Sequence, residues 1–311
     1  MTEATACLRA LVAVAKADGK ITAEERAALE STFEMLPGSA SPQSFLNEQI
    51  DFDQTLSQVT SAQAREQLWQ AACSIIYADG TASAEEQKLL DKMRNSFHID
   101  EGKASSTRRI FEEAKDTLLP SNIVAVSDPA QRQKEIDQDT IKYSILSALL
   151  GAFPVPGIAI ATDLAIVALQ IKLIRDVGQY WGHRVDKETA KTLLAGLGLG
   201  TGARIAVSNL AKLVPVWGSA FGATTAFATT WALGKIANRY FEGGQKSEPG
   251  ALRSEMKAME SEGKKAFAQY KEQIETKKKS ASARLSALNE QRKIGAISQA
   301  EYEKQISALA D

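Results

Sequence analysis

From Tyr143 to Thr162 the chain carries no charged side chain, and from Leu213 to Gly234 it carries none again. Runs of about 20 uncharged residues reach the length of a membrane span, and they also suit the buried centre of a large helical core. Both runs are interrupted. Pro154-Val-Pro-Gly157 breaks the first near its centre, and Pro215-Val-Trp-Gly218 breaks the second near its start. Proline removes a backbone donor and glycine accepts turn conformations, so each break marks the bend of a helical hairpin. After the first bend the pattern predicts an apolar helix over 158–174, ending in Arg175, Tyr180 and Trp181. After the second it predicts one over 219–236, ending in Arg239, Tyr240 and Phe241, so the two halves read as copies of one hairpin.

The helix over 158–174 would be about 25 Å long, short of a hydrocarbon core of roughly 30 Å. It also contains Asp163, and a central acid costs on the order of 3 kcal/mol on insertion. A simple crossing is therefore not expected there. The second helix is more permissive, because Gly218, Ala220, Gly222, Ala226 and Ala228 allow close backbone approach and no charge precedes Lys235. Lys142, Lys172 and Arg175 flank the first segment, and Arg204, Lys212, Lys235 and Arg239 flank the second. Basic residues on both sides suit hairpins that dip into a membrane and return to the cytoplasmic face, with aromatic and basic ends among the headgroups. The alternative is a cytoplasmic helical bundle whose small-residue stripes are packed core.

The first hundred residues contain a different repeat. Lys16-Ala-Asp-Gly-Lys-Ile-Thr-Ala-Glu-Glu25 recurs as Tyr77-Ala-Asp-Gly-Thr-Ala-Ser-Ala-Glu-Glu86. Each copy follows a small-residue apolar stretch and precedes a second amphipathic segment, with Ala27, Leu29 and Phe33 in one and Leu89, Leu90 and Met93 in the other. Helix punctuation explains much of the motif. Gly19 and Gly80 suit left-handed helix ends, Thr22 and Ser83 suit N-caps, and Glu25 and Glu86 complete capping boxes. The other reading is a shared oxygen-ligand site for calcium or magnesium, formed by Asp18, Glu24 and Glu25 with Asp79, Glu85 and Glu86. An ordinary EF-hand is excluded, since Val14, Lys16, Ile75 and Tyr77 stand where its first ligands would be.

The remaining chemistry is sparse. Cys7 and Cys73 lie in apolar stretches without CxxC spacing and read as small buried side chains. His98 and His183 have no nucleophile motif nearby and read as helix-end or interfacial residues. Gly196-Leu-Gly-Leu-Gly-Thr-Gly202 lacks the strand a dinucleotide fingerprint needs, so its glycines read as close packing or a flexible connection. With no Walker motif and no catalytic constellation, a non-enzyme is expected. The balance of 37 basic and 38 acidic residues gives no general attraction for nucleic acid. Near the start, Glu3 and the lack of a basic flank predict no secretory signal and a cytoplasmic beginning.

Scarce proline and abundant alanine, leucine, lysine and glutamate complete an all-α reading. Five segments follow: a helical bundle over 1–118, a linker over 119–140, the repeated hairpins over 141–243, a charged linker or helix over 244–281, and a helical hairpin over 282–311. Asp128 with Pro129 is a helix start inside the first linker. Lys277-Lys-Lys279 suits a solvated face or anionic headgroups. In the tail, Leu285 and Leu288 begin an apolar helix, Gly295 ends it, and Ser298 with Glu301 caps another carrying Tyr302, Ile306 and Leu309.

Three resemblances add to this. Through its doubled Ala-Asp-Gly and Glu-Glu pattern, the segment 1–118 resembles the TerB-like tellurite-resistance family, which implies metal binding through the acidic residues and a place in stress-response complexes near a membrane. Residues 141–243 are similar to the YcjF-like GTPase-associated membrane domains through Phe153-Pro-Val-Pro-Gly157, Ala161-Thr-Asp163, Leu213-Val-Pro-Val-Trp-Gly-Ser219, Leu233-Gly-Lys235 and Tyr240-Phe241. That similarity implies inner-membrane association and a separate GTPase partner. The last thirty residues resemble SHOCT-type modules, implying homo-oligomerisation or docking. Together they predict an adaptor on the cytoplasmic side of the inner membrane, in contact with membrane lipids, or alternatively a cytoplasmic scaffold.

Overall fold

The computed structural model describes residues 2–17, 19, 21, 26, 48–77, 82–152, 159–199, 218–246 and 251–310, with backbone alone at 218–221. Every regular element among them is a helix, as the composition predicts. The described residues fall into two compact units, one within 1–115 and the other from 116–199 with 219–311.

The first unit contains α1 (Glu3–Ala15), α2 (Phe52–Ser57), α3 (Ala62–Ile76), α4 (Ala84–Phe97) and α5 (Glu101–Lys115). Helix α1 packs on α2 and α3, and α3 in turn contacts α4 and α5. Its centre is built from small and branched side chains, among them Cys7, Leu11, Leu68, Ala72, Ile76 and Met93. Desolvation pushes the Cys7 thiol up to about 12 and raises that of Cys73 further still. Both thiols therefore stay protonated and act as packing groups. Glu3 ties α1 to the start of α3: its carboxylate accepts from the backbone N–H groups of Ser61 and Thr60, each at 2.6 Å. The Ser61 bond leads in holding that carboxyl below its usual range.

The second unit contains α6 (Pro129–Ala152), α7 (Ala159–Tyr180), α8 (Lys187–Gly196), α9 (Gly218–Glu242), α10 (Arg253–Gln269), α11 (Lys271–Lys293) and α12 (Gln299–Ser307). The Asp128 carboxylate accepts from Gln131 N at 2.6 Å, so α6 starts at the proline as expected and runs from the polar segment straight into the apolar one. Helices α6 and α7 share the most extensive helix–helix contact of the described chain. Residues 119–127 lie along α7, where Ile123 N donates to the Gln179 side chain at 3.0 Å and Val126 N to Tyr180 O at 3.0 Å.

Both apolar helices run past the predicted ends. The first left-handed glycines are Gly182 (φ 83°) after α7 and Gly244 (φ 66°) after α9, and the intervening residues, Gly178 included, continue the helix. At 22 residues α7 is about 33 Å long. It nevertheless carries Asp163, Lys172, Arg175 and Asp176, and no described helix is long and apolar enough to cross a membrane. The bends at 153–158 and 213–217, with Arg204 and Lys212, lie outside the described residues.

Small residues set the helix spacing. A Cβ added at Gly151 of α6 would stand 2.6 Å from the Gly222 carbonyl oxygen of α9, and one at Gly263 of α10 would stand 2.7 Å from the Ala228 oxygen. The close approach expected of Gly222 and Ala228 is thus made to protein backbone. Phe227 sits beneath α10 in an edge-to-face contact with Phe267 at 5.5 Å.

Candidate functional site

The acidic loops are described on one side only. Glu85 is exposed on the first turn of α4, and Glu86 closes the predicted capping box: its carboxylate accepts from Ser83 N at 2.7 Å while Ser83 Oγ accepts from Glu86 N at 3.2 Å. Gly19 has φ 79°, the left-handed value predicted for it. Asp18, Thr22, Glu24, Glu25, Asp79 and Gly80 lie outside the described residues. Among the described residues no three acidic, histidine or cysteine side chains come close enough to hold a metal ion.

Both histidines are helix-end groups, as their sequence positions predict. His98 adopts a left-handed conformation (φ 57°) at the end of α4. His183 follows Gly182, donates its backbone N–H to Gly178 O at 2.9 Å and stacks on Phe241 at 5.6 Å.

The densest polar chemistry lies in the second unit, on residues that periodicity did not single out. Asp176 of α7 is fully buried and accepts from Tyr143 Oη at 3.0 Å, Lys172 Nζ at 2.9 Å and Ser121 Oγ. Nearby, Tyr180 Oη donates to Asp139 at 2.9 Å. Desolvation outweighs that bond and raises the Asp139 carboxyl above its ordinary value. Deeper between the helices, Gln170 donates to Thr230 Oγ1 at 3.0 Å, and Thr230 lies 3.0 Å from Ser147 Oγ. A polar seam thus joins α6, α7 and α9 through the Tyr143–Asp176, Tyr180–Asp139 and Gln170–Thr230–Ser147 contacts.

These contacts redirect the residues expected at a headgroup layer. Lys172 pairs with Asp176, and Arg175 donates to the carbonyls of Leu119 at 2.7 Å and Val185 at 3.2 Å. Lys235 pairs with Asp137 at 2.6 Å and Arg239 with Glu255 at 2.8 Å. Of the aromatic ends, Tyr180 and Phe241 are buried, and the Trp181 indole donates to Asn238 at 2.8 Å beneath the Arg132 guanidinium. Asp176 stands one turn from Lys172 on α7 itself, whereas the acids that pair with Lys235 and Arg239 sit on α6 and α10, where counting basic residues along the chain could not reveal them.

The tail closes over α7. Gln299, fully buried at the start of α12, donates to the Ala161 carbonyl at 2.9 Å and to Glu303 at 2.8 Å, and accepts from Arg292 Nε at 3.2 Å. Tyr302 Oη donates to Asn289 at 2.8 Å. Ser298 caps α12, as its spacing predicts. Glu303 is 2% exposed, and desolvation lifts its carboxyl to about 7, against the opposing pull of Gln299 and of Lys187 on α8. Burial in turn lowers the Lys187 ammonium. Leu285, Leu288, Tyr302 and Ile306, the apolar positions of the tail, are all buried within this same unit.

Fold and geometry define the chain as an all-helical protein of two units, the second holding an apolar hairpin under its own C-terminal helices. Residues 2–109 match the family described as Tellurite resistance protein TerB, so the N-terminal third is TerB-like. No curated protein and no solved structure matches the chain.

Proposed function

We propose that the chain is a non-enzymatic adaptor in a tellurite-resistance type of stress response, with the TerB-like unit and the helical unit as separate interaction modules. One observation carries the scaffold form of this reading: the apolar side chains of α6, α7 and α9 face one another and the tail, leaving Leu118, Val124 and Ile294 as the large apolar side chains exposed among the described residues. Partners of such a module are proteins, a GTPase among them by the resemblance of 141–243 to GTPase-associated domains. Self-association through the tail would use its outer surface, where Ile294 is 69% exposed. Cells lacking the chain are expected to lose growth under tellurite and to regain it with the full chain, also when His98→Gln and His183→Gln are combined. Unchanged growth without the chain would refute the stress role, and failure of the folded double variant would point to catalysis.

A second reading places the chain on the cytoplasmic side of the inner membrane, through hairpin bends that contact lipid. The uncharged runs 143–162 and 213–234 favour it, since both bends fall within them.

The acidic loops add a divalent-cation site to either reading. The doubled Asp18 and Asp79 motifs support it, and Glu86 keeps one carboxylate oxygen beyond the one committed to its cap. Calcium or magnesium is expected to raise the melting temperature of the wild-type chain and leave that of Asp18→Ala with Asp79→Ala unchanged. Equal responses of the two proteins to either ion would remove the site.

A further inference from the structure

The interface between α12 and α7 is held by one side-chain amide. Gln299 donates to the Ala161 carbonyl of α7 at 2.9 Å and to Glu303 Oε1 at 2.8 Å, so the group that docks the helix also holds its buried acid. Its own carbonyl accepts from Arg292 Nε at 3.2 Å, and Arg292 Nη1 is engaged by the Ile297 carbonyl at 3.0 Å. Glu303 is shut away from water, and its Oε2 has no hydrogen-bond partner among the described residues. A neutral carboxyl tolerates that environment, whereas a carboxylate needs donors on both oxygens or water. Around it, Lys187 of α8 and Arg292 of α11 attract the charged form. Asp163 of α7 acts with Glu303 on the neighbouring Tyr302, and Asp116, Glu188 and Lys191 act on Lys187.

We propose that α12 is a pH-operated latch, docked on α7 while Glu303 is protonated and released when that carboxyl ionises. Burial outweighs the opposing pull of Gln299, Lys187, Thr117 and Arg292 and lifts the carboxyl from its ordinary 4.5 to about 7. The docked helix is therefore favoured fully below about 4.5, and that preference is lost as pH rises through about 7. With nine residues α12 is too short to persist alone, so release also frays it. Release bares the face of Tyr302, Ile306 and Leu309, all buried in the docked helix, together with the α7 surface beneath it. Neither the adaptor role nor lipid-contacting hairpin bends are needed for it.

Hydrogen exchange of the full chain, with each amide corrected for its intrinsic pH dependence, reads the latch directly. In wild type the protection of amides 302–307 is expected to fall at least about tenfold from pH 5 to pH 7.5, to a level below that of the buried amides of α7. In Glu303→Gln, which cannot ionise and can keep the bond to Gln299, it is expected to change by less than about twofold. Lys187→Met removes a half-buried cation that favours the carboxylate, and is expected to move the fall toward higher pH. This variant decides the matter if Glu303→Gln fails to fold. Protection at 302–307 that ignores pH in wild type, an equal loss in Glu303→Gln, or an unmoved profile in Lys187→Met would each overturn the latch. So would amides of α7 and α12 losing protection in step to one value, because the helix would then open only with the whole unit.

Discussion

Gly222→Ala is expected to lower the melting temperature of the second unit, and Gly222→Val to lower it further, by about 6–12 °C. The reason is a backbone-to-backbone contact. Gly151 and Gly222 face each other where α6 crosses α9, and a side chain on either meets the other's carbonyl group, which cannot swing aside as a flexible side chain would. Separating the helices to admit a valine would also loosen the hydrogen bond that Thr230 makes with Ser147 along the same interface. Overpacking of this kind costs about 3 kcal/mol or more when the backbone must move. Thermal unfolding followed by circular dichroism checks it, and a valine variant melting within a degree of wild type would show that the two helices are not in contact there.

Glu303→Gln is expected to be more stable than wild type at pH 8 and to lose that advantage on acidification. The Glu303 carboxyl is raised from its ordinary 4.5 to about 7 by burial. A raised acid favours folding fully below its unfolded value, and that contribution is lost as pH rises from about 4.5 through about 7. A shift of this size, in which burial already outweighs the opposing pull of Gln299, Lys187 and Arg292, corresponds to on the order of 3 kcal/mol between pH 4 and pH 8. Glutamine imitates the neutral acid and can keep the bond to Gln299, so the difference in unfolding free energy between the two proteins should grow with pH across that window. A constant difference from pH 4 to pH 8 would mean that Glu303 meets water in the folded chain.

Much of this architecture is legible in the sequence because it depends on local rules. Ser83, Asp128 and Ser298 announce helix starts through short-range hydrogen bonds, and Gly19 announces a left-handed turn. The alternation of small and large apolar residues over 143–152 and 222–237 gives the packed helices. What stays hidden is pairing between distant residues. Asp176 looks like one charge at a helix end until Tyr143, from 33 positions earlier, reaches it. Gln299 looks like a polar residue on a short surface helix until the Ala161 carbonyl, 138 positions away, accepts its amide. Lys235 and Arg239 read as lipid anchors for the same reason, since Asp137 and Glu255 belong to other helices. The acidic loop motif is legible as punctuation at Glu86, whereas its role toward a cation depends on where Asp18, Glu24, Glu25 and Asp79 stand.

The apolar middle packs as the core of a folded unit closed by its own tail. Fractionation of cells expressing the full chain tests it most directly, with the membrane pellet washed first in high salt and then in alkaline carbonate. The chain is expected in the soluble fraction or among the proteins that these washes release. Retention through both would contradict it, showing hairpins inserted in lipid and placing the polar seam of α6, α7 and α9 inside a membrane.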